Sequence, residues 1–202
     1  MKTPFLIGKQ IYLRPLERSD APVIVPWFND IEVTRTTLQY LPLNLRFEEQ
    51  FIEKLYQSDQ QIVLGIAITE DDRLIGVTGF HQIDQRSRQA SFGITLGVKA
   101  EWGKGYGTEA TGLLVRYAFE TLNLNRVWLH VFEDNARGLR SYEKVGFKRE
   151  GLLRQDNFRE GRYGNTVVMG LLREEWAGNT PRMTAGGSIT SCPPGTTPRP
   201  AS

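Results

Sequence analysis

One cysteine, Cys192, is too few for a disulfide within the chain, so nothing argues for an oxidising compartment. No uninterrupted apolar run approaches the roughly 20 residues needed to span a bilayer. The opening MKTPFLIGKQIYLRPLERSD reaches Lys9, Arg14 and Arg18 before a signal-peptide core is established. These absences make a cytoplasmic protein with no membrane partner the expectation. A surplus of charge is nearly lacking as well, with 25 Lys and Arg against 23 Asp and Glu. The small excess equals Arg182 and Arg199, which lie in a C-terminal stretch without an acidic residue. What precedes that stretch is charge-balanced, and a nucleic-acid partner is not expected. What is present, 202 residues that are 40% hydrophobic and 24% charged, suits a globular domain with a core of ordinary size and excludes a collagenous, mucin-like or wholly disordered chain.

Composition changes after Trp176, where the remainder holds five of the ten prolines and a single bulky aliphatic residue, Ile189. Residues 1–177 therefore read as one domain and residues 178–202 as a disordered tail. Within the domain the apolar period switches repeatedly. Gln10 to Leu16 reads as a strand. Ser19 resembles an N-cap for a short helix carrying Val23, Ile24 and Trp27. Phe47, Phe51, Ile52 and Leu55 mark a second helix. Strands are expected at 62–69, 74–83 and 90–98, joined by short polar turns that fit antiparallel hairpins. A helix over 107–122, a strand over 126–132, a helix over 136–144 and strands over 147–154 and 161–172 complete the order. This is a mixed α/β (α+β) pattern, not a doubly wound one: a mostly antiparallel twisted sheet of about seven strands flanked by helices.

The segment LGVKAEWGKGYGTEATGLLVRYAF places Gly103, Gly105 and Gly107 between a strand and an amphipathic helix. Alternate glycines admit positive φ and let successive N–H groups face one point, while the first N–H groups of the helix lack partners. The turn is therefore a candidate cradle for phosphate or pyrophosphate, or else a tight turn in which glycine serves geometry alone. A Walker-type loop is not expected, because Thr108-Glu109 stands where Lys and a hydroxyl residue belong. A dinucleotide site would need an acidic ribose ligand near position 125, which is Asn125. The pyrophosphate of coenzyme A is left, and it asks for neither a ribose acid nor a metal.

Two segments, WGKGYGTEA (102–110) and NARGLRSYEKVGF (135–147), with the REGLLR that follows, carry a resemblance to a known family. The sequence resembles the GNAT superfamily of acetyl-coenzyme A-dependent N-acetyltransferases, in its RimJ/RimL-like branch. The resemblance covers residues 9–176. It implies that Gly103, Lys104, Gly105, Tyr106, Gly107 and Thr108 hold the pyrophosphate. Trp102 departs from the family pattern, which has Gln or Arg there. Asn135 would contact the pantetheine arm, Tyr142 would stand near the thioester sulfur as general acid, and Arg137 and Arg140 would meet phosphates. From the residues alone, Asn135 also reads as an N-cap and Tyr142 as a core aromatic.

Attack of a neutral amine on a thioester requires a base, an oxyanion partner and an acid. By resemblance a backbone N–H around Leu96, Gly97 and Val98 serves the oxyanion. Relatives often carry a glutamate where this sequence has Ser91, so the base falls to His81, Glu133 or Asp134, or to a water chain. Acceptor contacts are implied for Trp27, Asn29, Glu32, Tyr40, Phe158 and Tyr163, among which acidic groups beside aromatics suit a cationic amine. The implied activity is direct acetyl transfer from acetyl-coenzyme A to a primary amine: a protein N-terminus, a polyamine, an aminosugar or an antibiotic. The alternative is a non-catalytic acyl-coenzyme A sensor, and a homodimer is an option for either.

Overall fold

A computed structural model describes residues 3–176, so the expected tail and Cys192 lie outside the described residues. The apolar runs form one sheet of β1 (Leu6–Ile7), β2 (Ile11–Pro15), β3 (Ile62–Ile68), β4 (Leu74–Asp84), β5 (Gln89–Leu96), β6 (Arg126–Phe132), β7 (Lys148–Arg159) and β8 (Arg162–Leu172). Its spatial order is β1-β2-β3-β4-β5-β6-β8-β7. Every neighbouring pair is antiparallel except β5 and β6, which are parallel. Eight strands replace the expected seven because β1 pairs back on β2 through two residues, too short a run to show a period.

Helices cover both faces. α1 (Ala21–Phe28), α2 (Ile31–Thr34) and α3 (Leu45–Leu55) precede the meander β3 to β5, and α4 (Tyr106–Glu120), α5 (Ala136–Val145) and the short α6 (Arg173–Trp176) follow it. Against α4 and α5 the sheet buries Ile11, Leu13, Ile66, Phe80, Ala90, Val127, Leu129 and Met169. Against α1 and α3 it buries Leu16, Val63, Leu74 and Val77, together with Ile24, Trp27, Ile52 and Leu55. Each large aliphatic side chain so buried contributes roughly 1.5–3 kcal/mol of transfer free energy.

The start of α1 differs from the expectation. Ser19 falls inside a 3-10 turn, Arg18–Asp20, and the helix begins at Ala21. Asp20 holds this turn because its carboxylate takes both terminal nitrogens of Arg14, at 2.7 and 2.8 Å, and also accepts the Glu17 N–H. Arg14 and Asp20 are both buried.

What positions the site is the meeting of β5 and β6. Their parallel ladder covers only Gln89 to Ser91 against Arg126 to Trp128. Beyond it β5 continues with β4 and β6 with β8, so the two strands part like the arms of a V. In the β4/β5 ladder Gly97 N–H donates to Ile75 O at 2.9 Å, which fixes the alternation. The N–H and C=O groups of Ile94 and Leu96 then face away from β4, into the V.

Candidate active site

The glycine turn follows β5 directly. Gly103 (φ +81) and Gly105 (φ +93) take the left-handed conformation, and Gly105 is the N-cap of α4. A Cβ added at either would meet nothing within 4 Å among the described residues, so glycine answers a backbone requirement here and leaves open space in front of the loop. The first helical bond of α4 is Glu109 N–H to Gly105 O, which leaves the N–H groups of Tyr106, Gly107 and Thr108 without helical acceptors. Thr108 Oγ1 meets Ser141 Oγ at 2.8 Å and ties α4 to α5. Trp102, at the position expected to be polar, donates its indole N–H to Leu96 O at 2.8 Å and anchors the loop to the end of β5. The Arg137 guanidinium lies 4.1 Å from the Trp102 ring centre, so a cation stands beside the loop on an aromatic face. Lys104 turns instead to Glu101 at 2.8 Å, and Arg140 is exposed with no contact of this kind.

The V opens into a cleft of about 710 Å³ on the α3 side of the sheet. Its floor includes His81 on β4, Ser91, Gly93 and Thr95 on β5, and Trp128 and His130 on β6. Its roof is α3 with Phe47, Glu48 and Phe51, and segment 36–43 closes one side. Tyr142 of α5 reaches the cleft through the V. Its ring stands edge-on to Phe92 and Phe147, at 6.1 and 6.0 Å, and its hydroxyl has no hydrogen-bond partner among the described residues. Desolvation pushes the phenol up to about 12, so it keeps its proton at neutral pH. Desolvation holds the His81 imidazole below its ordinary value, so it is neutral there. His81 stands directly opposite Ser91 in the β4/β5 ladder, beside the position where relatives were expected to carry a glutamate.

The other expected residues divide. Asn135 caps α5, its Oδ1 accepting the Gly138 N–H at 2.9 Å, and only its Nδ2 is left for a ligand. Leu96 fits the oxyanion expectation, but Gly97 and Val98 do not: both N–H groups donate to Ile75 O, at 2.9 and 3.2 Å. Glu133 lies outside the cleft. It accepts from Asn165 Nδ2 at 2.8 Å and lines a separate polar pocket of about 270 Å³ with Asp134, Arg159 and Tyr163.

None of the six expected acceptor residues lines the cleft. Trp27 is core, with its ring packed so closely on Gly97 that a Cβ there would come within 1.9 Å. Asn29 braces segment 36–43 through two hydrogen bonds to the Leu43 backbone, at 2.7 and 2.8 Å. Glu32 pairs with Lys99 at 2.8 Å. Tyr40 is exposed, and Phe158 and Tyr163 stack on each other with ring centres 5.0 Å apart. Sequence reasoning passed over Glu48, Trp128, His130 and Asp156, which do line the cleft. For Glu48 a signal existed, since positions 48, 51, 52 and 55 share one stripe of α3.

A family model described as an acetyltransferase (GNAT) domain matches residues 10–148. The chain belongs to the GNAT acetyltransferase family. It is 34% identical over 177 residues to the uncharacterized N-acetyltransferase p20 of Bacillus licheniformis, covering 86% of this chain and 98% of that one. It is 28% identical to the spermidine N(1)-acetyltransferase of Escherichia coli, over 82% of this chain and 88% of that one. A crystal structure of spermidine N-acetyltransferase from Vibrio cholerae, in complex with CoA and spermine, matches with a TM-score of 0.79 and 26% identity. That match covers 84% of this chain and 99% of the other.

GNAT enzymes use acetyl-coenzyme A as co-substrate, and this GNAT chain is an acetyl-coenzyme A-dependent N-acetyltransferase. Its own residues fit that molecule. The space before Gly103 and Gly105, the free N–H groups opening α4 and the Arg137 guanidinium suit a pyrophosphate. The edge of β5 in the V offers the Ile94 N–H and C=O and the Leu96 N–H to an amide-bearing arm, Leu96 O being held by Trp102. Among the described residues no helix is long and apolar enough to cross a membrane, and no group of three or more His, Cys, Asp or Glu is placed to hold a metal ion.

Proposed function

We propose that the chain transfers acetyl directly to a primary amine of a cationic small molecule, within a ternary complex and without a covalent enzyme intermediate. The observation that carries this reading is the V between β5 and β6, which joins the glycine cradle to the 710 Å³ cleft with Tyr142 at the junction. Bound acetyl-coenzyme A supplies an activated acyl group. His81, neutral and on the cleft floor, accepts the proton that the acceptor's ammonium must lose. The N–H groups of β5 that face the V, Leu96 among them, stabilise negative charge on the carbonyl oxygen. Tyr142 holds its proton for the departing thiolate. Among the described residues the cleft is lined by no lysine or arginine but by two carboxylates, Glu48 and Asp156, with Leu16, Phe28, Phe47 and Phe51 as apolar walls. That lining favours a cationic amine with an apolar segment, such as a polyamine, over an anionic acceptor. The names of the spermidine-acetylating relatives agree with it.

The likeness of residues 135–147 supports placement in the RimJ/RimL-like branch, where protein N-termini are the competing acceptors. Self-association belongs to the same proposal, because β7 is an edge strand with Leu152 and Leu153 exposed. Free-thiol release with acetyl-coenzyme A across polyamines, aminosugars and N-terminal peptides tests the activity. Release with polyamines is the expected result. The Ser91 position, lacking a carboxylate, favours the sensor alternative, and cofactor binding without thiol release on any amine would establish it.

A further inference from the structure

α3 carries three neighbouring glutamates with different fates. Glu49 and Glu53 reach Arg18 on the outer face, at 2.9 and 3.2 Å. Glu48 turns inward onto the stripe of Ile52 and Leu55 and is only 5% exposed. It lines the cleft, and its carboxylate has neither a hydrogen bond nor an ion pair among the described residues. The titratable groups that share the cleft are His81 on β4, His130 on β6, Asp156 on β7 and Tyr142 on α5, none of them a standing cation like lysine or arginine. An unpaired buried carboxylate is costly and gives the fold nothing in return. Burial holds its pKa above that of an ordinary glutamate, as expected when no cation offsets desolvation. Phe28, Phe47, Phe51 and Val63 line the same wall, so a cation arriving here would bring an apolar segment with it.

We infer that Glu48 is the carboxylate that receives a positively charged nitrogen of the acceptor, and so selects amines with an apolar spacer between cationic ends. The inference rests on the acetyl-transfer reading only in calling the occupant an acceptor.

The test is calorimetric titration of 1,6-diaminohexane into the full chain with coenzyme A present, using wild type, Glu48→Gln and Glu48→Asp. The diamine should bind the wild type, lose at least tenfold in affinity with Glu48→Gln and recover part of it with Glu48→Asp. The melting temperature of ligand-free Glu48→Gln should equal or exceed that of the wild type, because no partner is lost. No binding to the wild type, equal affinity in Glu48→Gln, or a melting point several degrees lower in that variant would each overturn the inference. Thiol release separates it from the proposed activity. Glu48-dependent binding without release on any amine sinks acetyl transfer alone, whereas release unchanged by Glu48→Gln sinks the carboxylate's role alone.

Discussion

Gly105→Ala separates a cofactor cradle from a mere turn. Gly105 sits at φ +93 and ψ −10, where an L-residue costs about 1–2 kcal/mol. No atom of the described residues lies within 4 Å of the added Cβ, so steric repulsion adds nothing to that figure. Alanine also restricts the unfolded chain, which returns about 0.4–1 kcal/mol. The net loss is therefore about 1 kcal/mol, or roughly 2–4 °C in melting temperature for a domain of this size. The loss of coenzyme A affinity should be larger, at least tenfold or about 1.4 kcal/mol. The new methyl enters the open space before the loop, and any relaxation of φ turns the cradle N–H groups aside. Gly112→Ala is the control. It lies inside α4, also with nothing within 4 Å of an added Cβ, and should raise stability by about 0.5–1 kcal/mol without changing affinity. Thermal melts and calorimetry on the three proteins check both quantities. If Gly105→Ala melts early yet binds coenzyme A like the wild type, the loop is a turn and the assignment of the cradle fails.

Tyr142→Phe keeps the ring contacts with Phe92 and Phe147 and removes only the hydroxyl, so kcat should fall by about 100-fold or more with coenzyme A affinity unchanged; equal turnover would remove the acid. Because burial lowers the His81 pKa and only the neutral imidazole accepts a proton, activity should decline as pH falls through a value below 6.5. His81→Gln should slow the reaction and abolish that acid limb, and a persisting limb would assign it to another group. Asp20→Asn leaves the buried Arg14 guanidinium without its counter-charge and should destabilise by about 3–5 kcal/mol, while Arg14→Met with Asp20→Leu should recover most of that. Denaturant unfolding checks both, and a small loss in Asp20→Asn would show that Arg14 finds another partner.

What could be read from the sequence was whatever depends on local pattern. Alternation placed seven strands within a few residues of their observed ends. The largest error was β7, which runs to Arg159 instead of Arg154 because the hairpin turn lies at Glu160 and Gly161. Glycines at alternate positions before a helix predicted the positive φ at Gly103 and Gly105. Tyr142 was legible only through its spacing and resemblance, since nothing local says that β5 and β6 separate where its ring comes through.

The residues expected to meet the acceptor, and Glu133 as an expected base, stand outside the cleft for a physical reason that the observed contacts make plain. Polar and aromatic side chains look available in a sequence, but availability depends on what the fold gives them to bind. Asn29 has the Leu43 backbone, Glu32 has Lys99, Glu133 has Asn165, and Trp27 has the underside of Gly97. Each is satisfied by the protein itself and has little left to offer a ligand. Glu48 and the Tyr142 hydroxyl present the reverse case: little exposed or desolvated, facing the cleft, and without a partner among the described residues. A stable fold leaves few buried polar groups unmatched. On the proposed reading, the two that line this cleft are completed when it is filled, one by a cation and the other by a developing thiolate.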